Sequence, residues 1–315
     1  MKKPALSVGL PVYNGERYLR NALDSLLNQD FEDFELIISD NGSSDQTEAI
    51  CRDIARKDSR IRYSRSDVNR GCTWNFRRVV ELAEGDFFKY AAYDDECYPT
   101  MLSQCMEVMR TGDPTVGLVY TQSEFIDENS APVLHQGSLN WDRVGTTAPT
   151  PHQRLAHVIW RALHGHAQYG VIRSSFLRRA RPYGSIAADW ALLAELAMMG
   201  KIVEIPEVLF RLRKHNAITW NADSTPLQIL YWHDPEAKGI VTILPFRIAV
   251  TWEYVKAVWH APLTPGERMM CIPVACFAPT LRNLWIWFLN VSGPMRRYLR
   301  EITGCKALLP GADKH

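Results

Sequence analysis

The chain has 315 residues, 46% of them apolar and 23% charged, with a formal net charge of +1. That length allows a sizeable core, and the near-neutral balance excludes nucleic acid as a bulk electrostatic partner. The seven scattered cysteines form no C-x-x-C pair, which excludes a zinc or dithiol motif and leaves free thiols in a reducing cytosol.

Residues 6–12 read as a buried strand, too short and too polar in its sequel for the apolar region of a signal peptide. Asn14-Gly15 turns the chain into a helix with Leu19, Ala22, Leu23, Leu26 and Leu27 on one face. Residues 34–39 form a second strand. Asp45 can cap the helix that carries Ala49, Ile50, Ile54 and Ala55. Residues 61–63 are a third strand, 74–82 a helix ended by Glu84-Gly85-Asp86, and 87–92 a fourth strand. Pro99 suits the first turn of a helix with Met101, Leu102, Cys105, Met106 and Met109 inward.

A strand follows at 116–120, and then 129–151 reads as a long loop rich in Pro, Gly, Thr and Ser. Further on come a helix at 155–163, a strand at 169–172, and a helix at 189–199 closed by Gly200. Strands at 202–205 and 208–212 return to the sheet. The β-α alternation predicts an α/β fold: a mostly parallel sheet with helices on both faces. From about Thr225 the chain turns aromatic, with Trp232, Trp252, Trp259, Trp285 and Trp287. Residues 269–291 are the most apolar stretch, but Pro273, Pro279, Arg282 and Asn283 argue against a membrane span. This region reads as a buried helical extension. Its alternative is a helix on a membrane surface, Trp285, Trp287 and Phe288 down and Arg282, Arg296 and Arg297 up.

Two acidic clusters stand where strands end: Ser39-Asp40-Asn41-Gly42-Ser43-Ser44-Asp45 and Asp94-Asp95-Glu96. The carboxyl ends of neighbouring parallel strands open onto one crevice, where ligands of open α/β sheets bind. Paired aspartates there can hold a hard cation, and a hard cation partners a diphosphate.

Several segments resemble family 2 glycosyltransferases: Val8-Gly9-Leu10-Pro11-Val12-Tyr13-Asn14-Gly15, Asp24-Ser25-Leu26-Leu27-Asn28-Gln29, the Asp40–Asp45 turn, Asn69-Arg70-Gly71, Ala83-Glu84-Gly85-Asp86 and Asp94-Asp95. The match is strong over the first 110 residues and weaker up to His215. It departs from the D-x-D pattern of many members, because Ala92 and Tyr93 precede Asp94-Asp95.

The resemblance implies a GT-A fold over 1–224, with a nucleotide-sugar half at 1–110, an acceptor half at 111–224 and a helical extension at 225–315. It implies a nucleoside-diphosphate sugar donor, UDP first among nucleotides, together with Mg²⁺ or Mn²⁺ and inversion at the anomeric carbon. Pro11, Tyr13 and Asp40 are then expected around the base, with Asn69, Arg70 and Asp94 also on the nucleotide sugar. Asp95 and His215 are expected at the metal, and Asp189 as the general base. Arg70, Arg213 and Lys214 are candidate diphosphate contacts, and His164 and His166 candidate acceptor contacts.

Bland readings stand beside these. Asp40 can simply shape its turn, Asp45 and Asp189 can be helix caps, and His215 can be a surface residue among cations. The expected acceptor is a hydroxyl of a glycan, a lipid-linked or a small molecule, with no nucleic acid partner. The expected location is cytoplasmic or peripheral at the inner face of the membrane, touching it through the extension. The alternatives are a catalytically silent sugar-nucleotide or glycan-binding subunit and a sugar nucleotidyltransferase. The latter normally has a Gly-rich loop where this chain has Pro11-Val12-Tyr13-Asn14. No G-x-G-x-x-G follows the first strand, as a dehydrogenase requires.

Overall fold

The computed structural model describes residues 3–133, 142–162, 165–184, 187–215 and 246–291, with backbone alone for 246 and 285–291. The strands are β1 (Leu6–Val12), β2 (Phe34–Asp40), β3 (Ile61–Arg65), β4 (Phe87–Tyr90), β5 (Glu96–Cys97), β6 (Val116–Ile126), β7 (Val171–Arg173) and β8 (Lys201–Arg213). They make one sheet in the order β3-β2-β1-β4-β7-β6-β8-β5. β1, β2, β3 and β4 run parallel, as do β6 and β8, whereas β7 and β5 are antiparallel to their neighbours. The sheet is therefore mixed and mostly parallel.

Both faces are covered, so β1, β2 and β4 are buried throughout and mostly apolar. Leu6, Val8, Leu10 and Val12 point to the side of α1 (Leu19–Leu27), α2 (Thr47–Lys57) and α4 (Met101–Thr111). Ile37, Phe88 and Tyr90 point to the other side, with α3 (Cys72–Leu82), α5 (Pro151–Arg161), α6 (Ser174–Leu177) and α7 (Ala188–Met199). Two more helices, α8 (Phe246–His260) and α9 (Pro265–Val291), pack on α5 and α7 through a third apolar cluster.

Several boundaries differ from the sequence expectation. The two short strands expected at 202–205 and 208–212 are one strand, β8. Its register against β6 slips where Ile205 pairs with Thr121 and Val208 with Gln122, so Pro206, with no N–H to give, sits in an irregularity. β4 ends at Tyr90 and not at Ala92. β6 runs on to Ile126, and Thr146, inside the expected loop, bridges to Ile202. The presumed boundary near 225 lies outside the described residues.

The motif ends have structural work of their own. Gln29, buried after α1, donates to the carbonyl of Tyr98 at 2.8 Å and accepts from the amide of Leu102 at 2.9 Å. The Glu84-Gly85 turn is tied to β1 and β2 by the Ser7 hydroxyl and the Glu35 carboxylate.

Candidate active site

β1 and β2 run side by side until Val12 stands opposite Asp40. Asn75 of α3 clamps these two ends, donating to the carbonyls of Val12 (3.2 Å) and Ser39 (2.9 Å). Asp40 is fully buried. Its Oδ1 accepts from the Ser43 amide at 2.9 Å, and its Oδ2 accepts from the Tyr63 hydroxyl at 2.8 Å and from Arg65. The turn-shaping reading of Asp40 is therefore realised, with an ion pair added. Contact with a base N–H would need a lone pair beyond these three donors.

Asn41 donates to Asn69 Oδ1 at 2.8 Å and accepts from the Arg70 amide at 3.0 Å, so Asn69 serves to lock the loop. The Arg70 guanidinium lies over the Trp74 ring at 5.1 Å, on the exposed rim. Tyr13 is 40% exposed at the mouth, while Pro11 is buried inside β1. Asp45 accepts from the amides of Thr47 (2.9 Å) and Glu16 (3.1 Å); the cap position of α2 is Gln46, so Asp45 serves the first turn from one residue outside it.

The second acidic loop leaves β4 on the other flank of β1 and is held by β8. Arg213 is buried at the end of β8. It donates to the carbonyls of Asp94 (2.8 Å) and Asp127 (2.7 Å), pairs with Glu96, and lies 4.8 Å over the Tyr18 ring. This corrects its sequence assignment: each side-chain nitrogen is engaged inward, so it is a strut of the acidic loop and not a free diphosphate contact. Lys214 is likewise taken up, with its ammonium 4.1 Å over the Phe125 ring.

The Arg213 amide donates to Asp95 Oδ1 at 2.9 Å. Burial and the adjacent Asp94 carboxylate push Asp95 well above the usual carboxylate range. His215 is buried against Tyr18, with its Nε2 2.9 Å from Asp94 Oδ2 and its Nδ1 without a partner among the described residues. It is not a surface histidine. No group of three or more His, Cys, Asp or Glu side chains arranged for a metal occurs among the described residues. Two crowded carboxylates still suit Mg²⁺ or Mn²⁺, which keep water and phosphate oxygens as their other ligands.

Lys89 was missed in the sequence reading, although a lysine inside an apolar strand is itself a signal. It is fully buried in β4, donates to the carbonyls of Tyr90 (3.1 Å) and Tyr169, and draws the Asp95 carboxyl downward in pKa by its charge.

Asp189 is the second residue of α7, whose cap position is Ala187 in the left-handed region (φ 46°), so Asp189 is not the helix cap. It accepts the Trp190 amide at 2.9 Å through Oδ1. Burial, with a contribution from the Asp142 carboxylate, raises its pKa to about 6. Gly165 passes so close that a Cβ on it would lie 2.2 Å from Asp189 Oδ2, and its φ of +72° is itself a glycine conformation. His166 donates its amide to Asp142 Oδ2 at 2.8 Å, and His164 lies outside the described residues. Beside them opens a cleft lined by Gln122, Asp142, Arg143, His166, Glu204 and Phe210, among others.

Tyr169 joins the two halves. Burial raises its phenol, and so do the charges of Asp95, Asp94 and Asp189, in that order. Its ring packs against Phe210 of the cleft at 5.5 Å. The charges of acids far apart in the chain thus reach one side chain. Nothing in the sequence singles out Tyr169, whose place depends on β7 running antiparallel beside β4.

These features match known proteins. Among curated proteins, the chain is 34% identical over 110 residues to the GalNAc(5)-diNAcBac-PP-undecaprenol β-1,3-glucosyltransferase of Campylobacter jejuni, covering 35% of this chain and 36% of that one. It is 34% identical over 116 residues to the putative glycosyltransferase EpsH of Bacillus subtilis, covering 36% and 33%. An uncharacterized glycosyltransferase of Rickettsia typhi aligns at 32% over 127 residues, 40% of this chain and 39% of that one. The match thus spans well under half the length of these relatives.

Among solved structures, TarS (1–349) of S. aureus in complex with UDP-GlcNAc superposes with a TM-score of 0.59 at 18% identity, covering 85% of this chain and 70% of that one. The mannosyltransferase PcManGT of Pyrobaculum calidifontis, in complex with GDP-Man and Mn²⁺, superposes at 0.51 and 17%, covering 90% and 88%. Both likenesses speak for the fold, which is of the GT-A type. The model of glycosyl transferase family 2 matches residues 7–170, more than half of the 315, and the chain belongs to that family.

Proposed function

We propose that the chain transfers a sugar, with inversion, from a nucleoside-diphosphate sugar to the hydroxyl of a glycan acceptor, and that this acceptor is lipid-linked. The observation that carries the reading is Tyr169, which feels the charges of Asp94, Asp95 and Asp189 together. A donor-side acid pair and a base candidate thus lie within electrostatic range of one side chain, which supports a shared site. The nucleotide would lie at the Tyr13 mouth beside Asp40 and the Asn69-Arg70 loop. UDP is favoured because the TarS structure holds UDP-GlcNAc. The domain division proposed is the one expected from sequence, with 1–224 as the transferase.

Asp94 and Asp95 would hold the divalent cation and the ribose, and His215 would act by fixing Asp94. When bound, that cation supplies charge neutralisation for the departing diphosphate. The chain's own residues do the rest. Arg213 fixes the acidic loop, Lys89 sets the field beneath it, and the cleft by His166 and Asp142 seats the acceptor. Asp189 takes the proton of the acceptor hydroxyl as its oxygen attacks the anomeric carbon on the face opposite the diphosphate. The C1–diphosphate bond breaks, its electrons leave on the phosphate oxygen, and the configuration inverts. A carboxylate with a pKa near 6 is a stronger base than an ordinary one and is still ionised at neutral pH. The lipid-linked acceptor is inferred from the Campylobacter relative, whose name describes an undecaprenyl-diphosphate glycan.

The test is a thermal-shift panel of nucleotide sugars with and without Mn²⁺, followed by product analysis with the ligand that responds. A metal-dependent shift with a UDP-sugar, and an inverted linkage in the product, are expected. Metal-independent binding across the panel, or a retained anomeric configuration, would refute the assignment. A silent binding subunit would show the shift and no turnover.

A further inference from the structure

α8 and α9 bury one face each. Tyr254, Ala257 and Val258 of α8, with Cys271 and Ala275 of α9, pack on Leu155 and Ile159 of α5 and on Ala194 and Met198 of α7. Arg181 ties Glu195 of α7 to Glu253 of α8, the latter at 3.1 Å. Arg282 donates to the Ile159 carbonyl at 3.1 Å, so it faces inward; this corrects the expectation of an outward cation. The side chains of Trp285, Trp287 and Phe288, and all of Arg296 and Arg297, lie outside the described residues.

The opposite faces are apolar as well. On α8, Ile248, Trp252 and Trp259 stand four and seven residues apart and are 52%, 56% and 61% exposed. On α9, Met269, Pro273, Phe277, Leu281 and Leu284 repeat every three or four residues, and Met269 and Phe277 are 69% and 66% exposed. No charged residue occupies these outward positions. An ordinary surface helix places its charges there, and a contiguous apolar face marks a binding surface. At the α8–α9 turn the Arg268 guanidinium, next to Met269, lies 5.8 Å over the Trp259 ring.

We infer that this double stripe lies on the surface of an anionic lipid bilayer, with both helices in the plane of the headgroups. The charge pattern selects this occupant. The acids of the two helices are spoken for: Glu253 pairs with Arg181 and Lys256, and Glu267 accepts from Thr264. The exposed Arg247 stands beside the stripes, while Lys256 stays on Glu253 and Arg268 donates to the Ala261 carbonyl at 3.1 Å. The sequence that follows, residues 292–315, carries Arg296, Arg297, Arg300, Lys306 and Lys314 against Glu301 and Asp313. Tryptophan with flanking cations is the composition of an interfacial helix on anionic lipid. Among the described residues no helix is long and apolar enough to cross a membrane, so the contact lies along the surface.

The inference deepens the reading of a lipid-linked acceptor and takes its purpose from it. Ala187 and Trp190, on either side of Ala188-Asp189, pack against the cluster that lies under the stripes. A helix pair seated on the bilayer would thereby orient the base towards an acceptor anchored in the same surface.

The experiment is flotation of the full chain with phosphatidylglycerol vesicles and with phosphatidylcholine vesicles, beside a Trp252→Glu/Phe277→Glu variant. Wild type should float with the anionic vesicles. The variant should lose vesicle affinity by about tenfold or more, since each large side chain withdrawn from lipid is worth about that factor. Its melting temperature and UDP-sugar shift should be unchanged. Wild type that stays at the bottom, equal flotation with both lipids, or a variant that floats like wild type would each overturn the inference. So would a wild-type dimer that the variant dissociates, because a second copy would then cover the stripe. The UDP-sugar shift is read separately: its absence in wild type would count against the transferase reading and leave the lipid result standing.

Discussion

Replacing Asp189 by Asn separates its chemistry from its cost. The fold holds this carboxyl with a pKa of about 6, mainly through burial, against an ordinary value of about 3.9. The folded value is the higher one, so the fold favours the neutral acid. Its contribution is fully present below about pH 4 and is lost as pH rises through 6. Two pKa units correspond to about 3 kcal/mol, the upper limit of the penalty at neutral pH. The amide is nearly isosteric and keeps the acceptor for the Trp190 amide. Asp189→Asn should therefore be more stable than wild type at pH 8 by up to about 3 kcal/mol, or about 5 °C in Tm. The gap should close by pH 4. Transfer should fall by at least about a thousandfold while the UDP-sugar thermal shift persists. Scanning calorimetry across pH, with a product assay, measures both. A gap that stays constant with pH, or a less stable variant, would refute the burial argument; normal turnover would refute the base.

Three further outcomes are expected. Gly165→Ala places a Cβ against Asp189 Oδ2 and forces alanine into a left-handed φ; it should cost about 1–2 kcal/mol and lower kcat about a hundredfold with donor binding kept, as urea melts and kinetics would show. Asp95→Ala should abolish the metal-dependent part of the UDP-sugar thermal shift, and an unchanged shift would move the cation elsewhere. Arg213→Met leaves Glu96 and the Asp94 carbonyl short of a buried donor; it should destabilise by about 3 kcal/mol in urea melts and weaken donor binding as well.

Local pattern carried much of this protein. The apolar runs of β1, β2 and β4 announce strands covered on both faces, and the inward stripes of α1 and α4 follow from helical spacing. The acidic turns stand at strand ends because polar loops follow apolar strands. That both turns leave the same edge of the sheet was legible too, since parallel neighbours end on the same side. What each acid does there was not legible. Asp40 is buried under Arg65 and Tyr63 because β3 runs beside β2, and Arg213 is a strut because β8 returns beside β5.

Tyr169, Lys89 and Gly165 matter through interactions with residues some 20 to 80 positions away, and no periodicity encodes these. The same holds for the outward stripes of α8 and α9. The sequence shows an apolar, tryptophan-rich extension, but an amphipathic period cannot say which of two apolar faces meets the core. Burial on α5 and α7 decides that, because a side chain packs where a complementary surface already stands, and only the folded chain provides one.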